Sequence, residues 1–208
     1  MSHADWVILG DSITDGRGTT TNGQDRWTDQ LSRSLLQDRR TCQLAVLNYG
    51  LGGNCILQGG LGPTGLSRYE RDLFGACGVK YIILFEGTND LGSGSDGRET
   101  AGRIQSAWTQ IAREAHARGI KVIGATVTPA LGSFYTREGE HEKGRLQLND
   151  WIRSTTVFDG VIDFDRMVAD PSAPDRLDPA YLFENDWLHL NAKGYEVMGR
   201  GIDRSLFY

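Results

Sequence analysis

A few polar groups, far apart in the 208 residues, have the types that acyl transfer needs. Ser12 lies in Gly10-Asp11-Ser12-Ile13-Thr14, directly after the apolar run Trp6-Val7-Ile8-Leu9. A serine hydroxyl is a poor nucleophile until an imidazole removes its proton. His189 stands three residues after Asp186. That spacing, one turn, lets the carboxylate hold the ring by one nitrogen while Nε2 faces Ser12. A developing oxyanion needs donors from outside such a triad. Asn89 offers a side-chain NH2, and Gly53 and Ser12 offer backbone N–H groups.

Each piece also has a plainer explanation. Asp11, Ser12 and Thr14 are residue types that cap turns and helices. Asp186 equally suits a turn cap, and a histidine near a C-terminal helix more often faces solvent or packs. The other histidines are His3, in a tail, and His116 and His141, in polar or helical surroundings. Only His189 follows an aspartate at turn spacing.

The elements that would position these groups follow from hydrophobic patterning. Strands are expected at 5–10, at Leu44–Leu47 ending at Asn48, at Val79–Phe85, at Ile120–Val127 and within Val157–Phe164. Val79–Phe85 is almost continuously apolar, as for the centre of a parallel sheet. Apolar residues at helical spacing predict helices over 25–38 (Trp27, Leu31, Leu35), Leu66–Phe74 (Leu66, Tyr69, Leu73) and about 98–118. Two more are expected at Glu140–Ser154 (Leu146, Leu148, Trp151, Ile152) and from near Asn191. The stretches 15–26, 50–65, 91–97 and 130–138 are expected as loops, and 170–188 as a long irregular connection. Alternating strands and helices specify βα units and a parallel sheet covered on both faces. Loops that follow parallel strands share one edge of the sheet. Ser12, the segment Asn48 with Gly50 to Gly53, and Asn89 with Asp90 are therefore expected together.

Composition fits one globular domain over residues 1–208, with 39% hydrophobic and 24% charged residues. The net charge of -5 and the absence of a basic block longer than Arg39-Arg40 argue against nucleic acid as a partner. Cys42, Cys55 and Cys77 lack metal spacing and are expected as free buried thiols, with one disulfide plus one free thiol as the alternative. No dinucleotide-type glycine motif follows the first strand, and no cofactor or metal is expected. No apolar run is long enough to span a membrane, so a soluble protein is expected, either cytoplasmic or secreted with its signal peptide removed.

Taken in order, four blocks resemble those of the SGNH, or GDSL-like, esterase and lipase superfamily. They are Gly10-Asp11-Ser12-Ile13-Thr14, Asn48-Tyr49-Gly50-Leu51-Gly52-Gly53, Gly87-Thr88-Asn89-Asp90 and Asp186-Trp187-Leu188-His189. The resemblance implies a flavodoxin-like three-layer α/β/α sandwich with a mostly parallel five-stranded sheet. It implies ester hydrolysis without a metal, through Ser12 as nucleophile, His189 as base and Asp186 as its partner. The oxyanion would sit on Ser12, Gly53 and Asn89. In a supporting role, Asn48 is expected to brace its turn and Asp11 and Asp90 to hold loops. Gly59-Gly60-Leu61-Gly62-Pro63 is similar to a branch of bacterial and fungal GDSL-like hydrolases. The N-terminal β domain of some relatives is expected to be absent. Leu131, Phe134, Tyr135 and Trp187 could line a pocket or simply pack. A compact open cleft would favour short acyl groups, such as acetyl esters of small molecules or carbohydrates. The alternative of another class is a non-catalytic carbohydrate- or protein-binding module on the same fold. A metallophosphoesterase fits less well, because the histidines do not cluster.

Overall fold

Side chains of a strand alternate between the two faces of its sheet, and here both faces are apolar. Val7 and Leu9 of β1 (Trp6–Gly10) enter one hydrophobic core, while Trp6 and Ile8 enter the other. In β3 (Tyr81–Phe85), Ile82 and Leu84 join the first core and Ile83 and Phe85 the second. A strand buried on both sides must lie between two helical layers. In the computed structural model, which describes residues 5–136 and 139–207, it does.

The sheet contains β2 (Val46–Gly50), β1, β3, β4 (Lys121–Ala125) and β5 (Gly160–Ile162), in that spatial order. All pairings are parallel. The order 2-1-3-4-5 is the flavodoxin-like arrangement, with its switch point between β1 and β3. On one face pack α3 (Gly65–Phe74), α5 (Gly97–Ala117) and α6 (Glu140–Ser154), through Tyr69, Leu73, Trp108 and Leu148. On the other pack α2 (Trp27–Leu36), α7 (Phe164–Val168) and α8 (Ala192–Gly201), through Trp27, Phe164, Tyr195 and Met198. Two short helices, α1 (Ser12–Asp15) and α4 (Thr88–Ser93), follow β1 and β3 directly. This is the three-layer α/β/α fold.

Several expectations need correction. The second strand lies two residues later than the apolar run Leu44–Leu47, because Trp6 pairs with Val46 and Gly10 with Gly50. Asn48 is therefore inside the strand. The fifth strand, Gly160–Ile162, does lie within Val157–Phe164, and it ends where Asp163 caps α7 at Phe164. The 91–97 loop is entered late, because α4 runs through Ser93. The 170–188 connection holds a small hairpin of β6 (Ala169–Asp170) and β7 (Ala173–Leu177). Leu146 is exposed on α6 rather than in the core. Of the three cysteines expected to be buried, only Cys55 is; Cys42 is half-buried and Cys77 is exposed. No helix among the described residues is long and apolar enough to cross a membrane.

Candidate active site

The site is assembled where β1, β2 and β3 end. Ser12 opens α1 immediately after β1, and Asp11 is the N-cap, its Oδ1 accepting from the Ile13 amide at 2.9 Å. The turn is tight. A Cβ on Gly50 would sit 2.3 Å from the Asp15 backbone nitrogen, so the end of β2 abuts α1 only because that residue is glycine. Asn48 ties the two together. Its Nδ2 donates to the Thr14 carbonyl at 2.7 Å and to Thr28 Oγ1 at 3.0 Å, while its Oδ1 accepts from the Gly50 amide.

Asp186 and His189 reach this edge from a distant loop. They do not lie on a helix turn. Glu184, Asn185 and Trp187 all have positive φ, between 50° and 58°, and wind the chain into a compact knot. Asp186 Oδ1 accepts from the amides of Leu188 and His189, at 2.9 and 2.8 Å. Its Oδ2 meets His189 Nδ1 at 2.6 Å, and His189 Nε2 lies 2.8 Å from Ser12 Oγ. The line Asp186–His189–Ser12 is thus unbroken, across 177 residues between the serine and the histidine. Burial pushes the His189 pKa down, and the Asp186 carboxylate only partly restores it; the ring titrates below the ordinary imidazole value. Burial would raise Asp186, but the hydrogen bonds from His189 and Leu188 outweigh it and leave the carboxyl below its usual range.

Asn89, on the first turn of α4, faces the same cleft. Its Nδ2 donates to the Asn54 carbonyl at 2.8 Å, and its Oδ1 accepts from the Tyr135 hydroxyl at 2.7 Å. An amide nitrogen carries two protons, so one remains for a ligand. Gly53 adopts φ +70°, and its carbonyl accepts from the Leu61 amide, closing a small loop over the second block. Asp90 pins the next residues, taking the Ile56 and Leu57 amides, each at 2.9 Å.

Beneath these loops lies a buried charge cluster. Arg68, 3% exposed, donates to the Gly10 and Tyr49 carbonyls at the ends of β1 and β2, to Asn54 Oδ1, and to Asp72 at 3.0 Å. Its contact with Glu86 is longer, 3.4 Å, and Glu86 Oε2 has no partner among the described residues. Burial pushes Asp11 up to about 7, Glu86 to about 8 and Asp90 to about 6. At Asp11 and Glu86 burial outweighs the attraction of Arg68, and at Asp90 it outweighs the Ile56 and Leu57 amides and Arg103.

Ser12, His189, Asp186, Gly53 and Asn89 all line one open cleft of about 840 Å³. Its apolar wall includes Leu61, Phe134, Tyr135, Phe183 and Leu188, and Arg17 and Asp15 stand at its polar side. Phe134 and Tyr135 are therefore at the cleft. Leu131 and Trp187 are not; Trp187 packs against Gly132 with Arg176 over its ring. Among the described residues no group of three or more His, Cys, Asp and Glu side chains is arranged to hold a metal ion.

The family model of the GDSL-like lipase/acylhydrolase family matches residues 8–197, from within β1 to within α8. The chain belongs to this GDSL-like family. No curated protein matches it significantly. Solved structures that share the fold include a G-D-S-L family lipolytic protein from Desulfitobacterium hafniense. It is 21% identical with a TM-score of 0.68, and 93% of this chain and 94% of that one are covered. A carbohydrate acetylesterase from Sinorhizobium meliloti is 16% identical with a TM-score of 0.72, and 98% of each chain is covered. An aryl esterase from M. smegmatis is 17% identical, also at 0.72, with 98% of each chain covered.

Three residues of this GDSL-like chain were not singled out from sequence for the site. Arg68 sits on an amphipathic helix, where an arginine ordinarily faces water. Asn54 follows the second block and bonds Asn89 through its backbone, which no side-chain type announces. His141 is fully buried beside α4, 3.2 Å from Thr88 Oγ1, with its pKa pushed down to about 4 by burial.

Proposed function

We propose that this GDSL-like hydrolase is a serine carboxylic ester hydrolase acting on short acyl esters, acetyl esters first, of small alcohols or carbohydrates. The observation that carries the reading is the continuous Asp186–His189–Ser12 line opening into the cleft. Ser12 Oγ attacks the ester carbonyl while His189 Nε2 takes its proton. Asp186 holds the neutral tautomer with the proton on Nδ1 and offsets the charge of the imidazolium that forms. The tetrahedral oxyanion is received by the amides of Ser12 and Gly53 and by the remaining N–H of Asn89. Collapse passes the His189 proton to the departing alcohol, leaving an acyl group on Ser12. Water, activated by His189, then releases the acid.

The substrate range rests on the cleft. Its volume is far above that of an acetyl group and within the span of sites for drug-sized ligands. The cleft therefore has room for a sugar or aryl alcohol beside a small acyl group. The acetylesterase and aryl esterase that share the fold are consistent with this reading. The test is initial rates on p-nitrophenyl esters from acetate to palmitate and on acetylated sugars, in the presence of a chelator. The acetate esters should be hydrolysed fastest. Strong preference for palmitate, or no hydrolysis of any ester, contradicts the proposal.

A further inference from the structure

Tyr135 sits on a single 3-10 turn (Phe134–Thr136), 46 residues after Asn89, yet three independent features press it against α4. Its hydroxyl donates to Asn89 Oδ1 at 2.7 Å. Its ring stacks on the buried His141, with 3° between the planes and 6.0 Å between centroids, and His141 in turn reaches Thr88, the neighbour of Asn89. Gly92 on α4 admits the ring. A Cβ there would lie 2.1 Å from Tyr135 Cδ1, so no side chain fits at that position.

These contacts bear on the chemistry of the amide. Unheld, a side-chain amide could turn and present its oxygen, which would repel an oxyanion. Asn54 and Tyr135 hold opposite ends of the Asn89 amide and leave one N–H for the cleft. A donor on Oδ1 also draws electron density from the amide nitrogen, so the remaining N–H becomes a better donor.

We propose that Tyr135 is a positioning residue of the oxyanion site, whose hydroxyl both orients and polarises the Asn89 amide. This rests on the assignment of Asn89 as an oxyanion donor. Because burial pushes the Tyr135 hydroxyl up to about 12, it keeps its proton and remains a donor throughout the working range.

The experiment is a double-mutant cycle on p-nitrophenyl acetate with Tyr135→Phe, Asn89→Ala and the pair, with thermal unfolding of each variant. Tyr135→Phe keeps the ring, its stack and its fit over Gly92. It should lower kcat by about 2- to 13-fold, the span of an ordinary hydrogen bond. KM should stay within about twofold, as expected for an interaction made in the transition state. In the Asn89→Ala background the same change should cost nothing more. Unchanged kcat in Tyr135→Phe, with Asn89→Ala strongly impaired, overturns the proposal and leaves the oxyanion assignment standing. An equal loss in both backgrounds overturns it too, since the hydroxyl would then act elsewhere. Wild-type activity in Asn89→Ala removes the donor assignment itself, and the proposal with it.

Discussion

Asp186 grips His189 twice, with Oδ1 on the backbone amide at 2.8 Å and Oδ2 on ring Nδ1 at 2.6 Å. One carboxylate thus sets both the loop and the ring. Asp186→Asn can keep the amide contact through its oxygen, but its NH2 then faces Nδ1 and favours the tautomer with the proton on Nε2. That ring donates to Ser12 instead of accepting from it. Turnover should fall by about 10⁴-fold in Asp186→Asn and by about 10⁶-fold in His189→Ala, the ordering seen when members of such triads are removed singly. Steady-state kcat for both folded variants checks this. Equal damage, or greater damage in the asparagine variant, would count against the assigned roles.

The pH profile follows from the direction of the His189 shift. The base must be neutral, so kcat/KM should rise with pH through one ionisation. Burial lowers this pKa, and the limb should lie below the ordinary imidazole value of 6.5. The Asp186 carboxylate favours the imidazolium. Asp186→Asn should therefore move the limb to still lower pH while reducing the plateau. A limb that moves upward in this variant would show that Asp186 does not face the ring charge.

Asn89→Ala removes the side-chain donor and leaves Ser12 and His189 in place. The expected loss in kcat is about 100- to 1,000-fold, or about 2.7–4 kcal/mol in the barrier. Stopped-flow or steady-state rates on p-nitrophenyl acetate measure it. A folded variant at wild-type kcat would exclude Asn89 from the oxyanion site.

Stability should fall as pH rises above about 7, where His141 and His189 are neutral in the folded and unfolded chain alike. Asp11, Glu86 and Asp90 are raised by burial to about 7, 8 and 6, so the folded chain holds protons that the unfolded chain releases above about pH 4. Their stabilising contribution is complete below the unfolded values and is lost as pH climbs through the folded ones. Each such group gives a slope of at most about 1.4 kcal/mol per pH unit. Urea unfolding between pH 7 and 9 should show the decline, and Glu86→Gln should flatten it. Stability that increases across this window would contradict the protonated state of the cluster.

How much of this was legible depended on whether a residue's role is local. β1 and β3 were legible because a parallel strand covered on both faces needs an unbroken apolar run. The register of β2 was not, because pairing with β1 draws polar Asn48 into the ladder and leaves Leu44 outside it. Ser12, Asn89 and the Asp186–His189 pair are candidates by residue type and position, but each has a plainer explanation until the four blocks are taken in order. The winding of the chain around Asp186 is not legible, because Asn185 is a type that favours positive φ but Glu184 and Trp187, which also adopt it, are not. Arg68 and Tyr135 act through contacts with residues up to 58 positions away. An arginine on an amphipathic helix and a tyrosine in a loop carry no mark of such partners.

Ser12 as the nucleophile is open to covalent trapping. A p-nitrophenyl phosphonate reacts with an activated serine and stops at a stable adduct. Intact mass followed by peptide mapping locates it. One adduct per chain is expected, on Ser12, formed far more slowly in His189→Ala and absent from an inactive Ser12→Ala. An adduct on another serine, with esterase activity retained in Ser12→Ala, would contradict it.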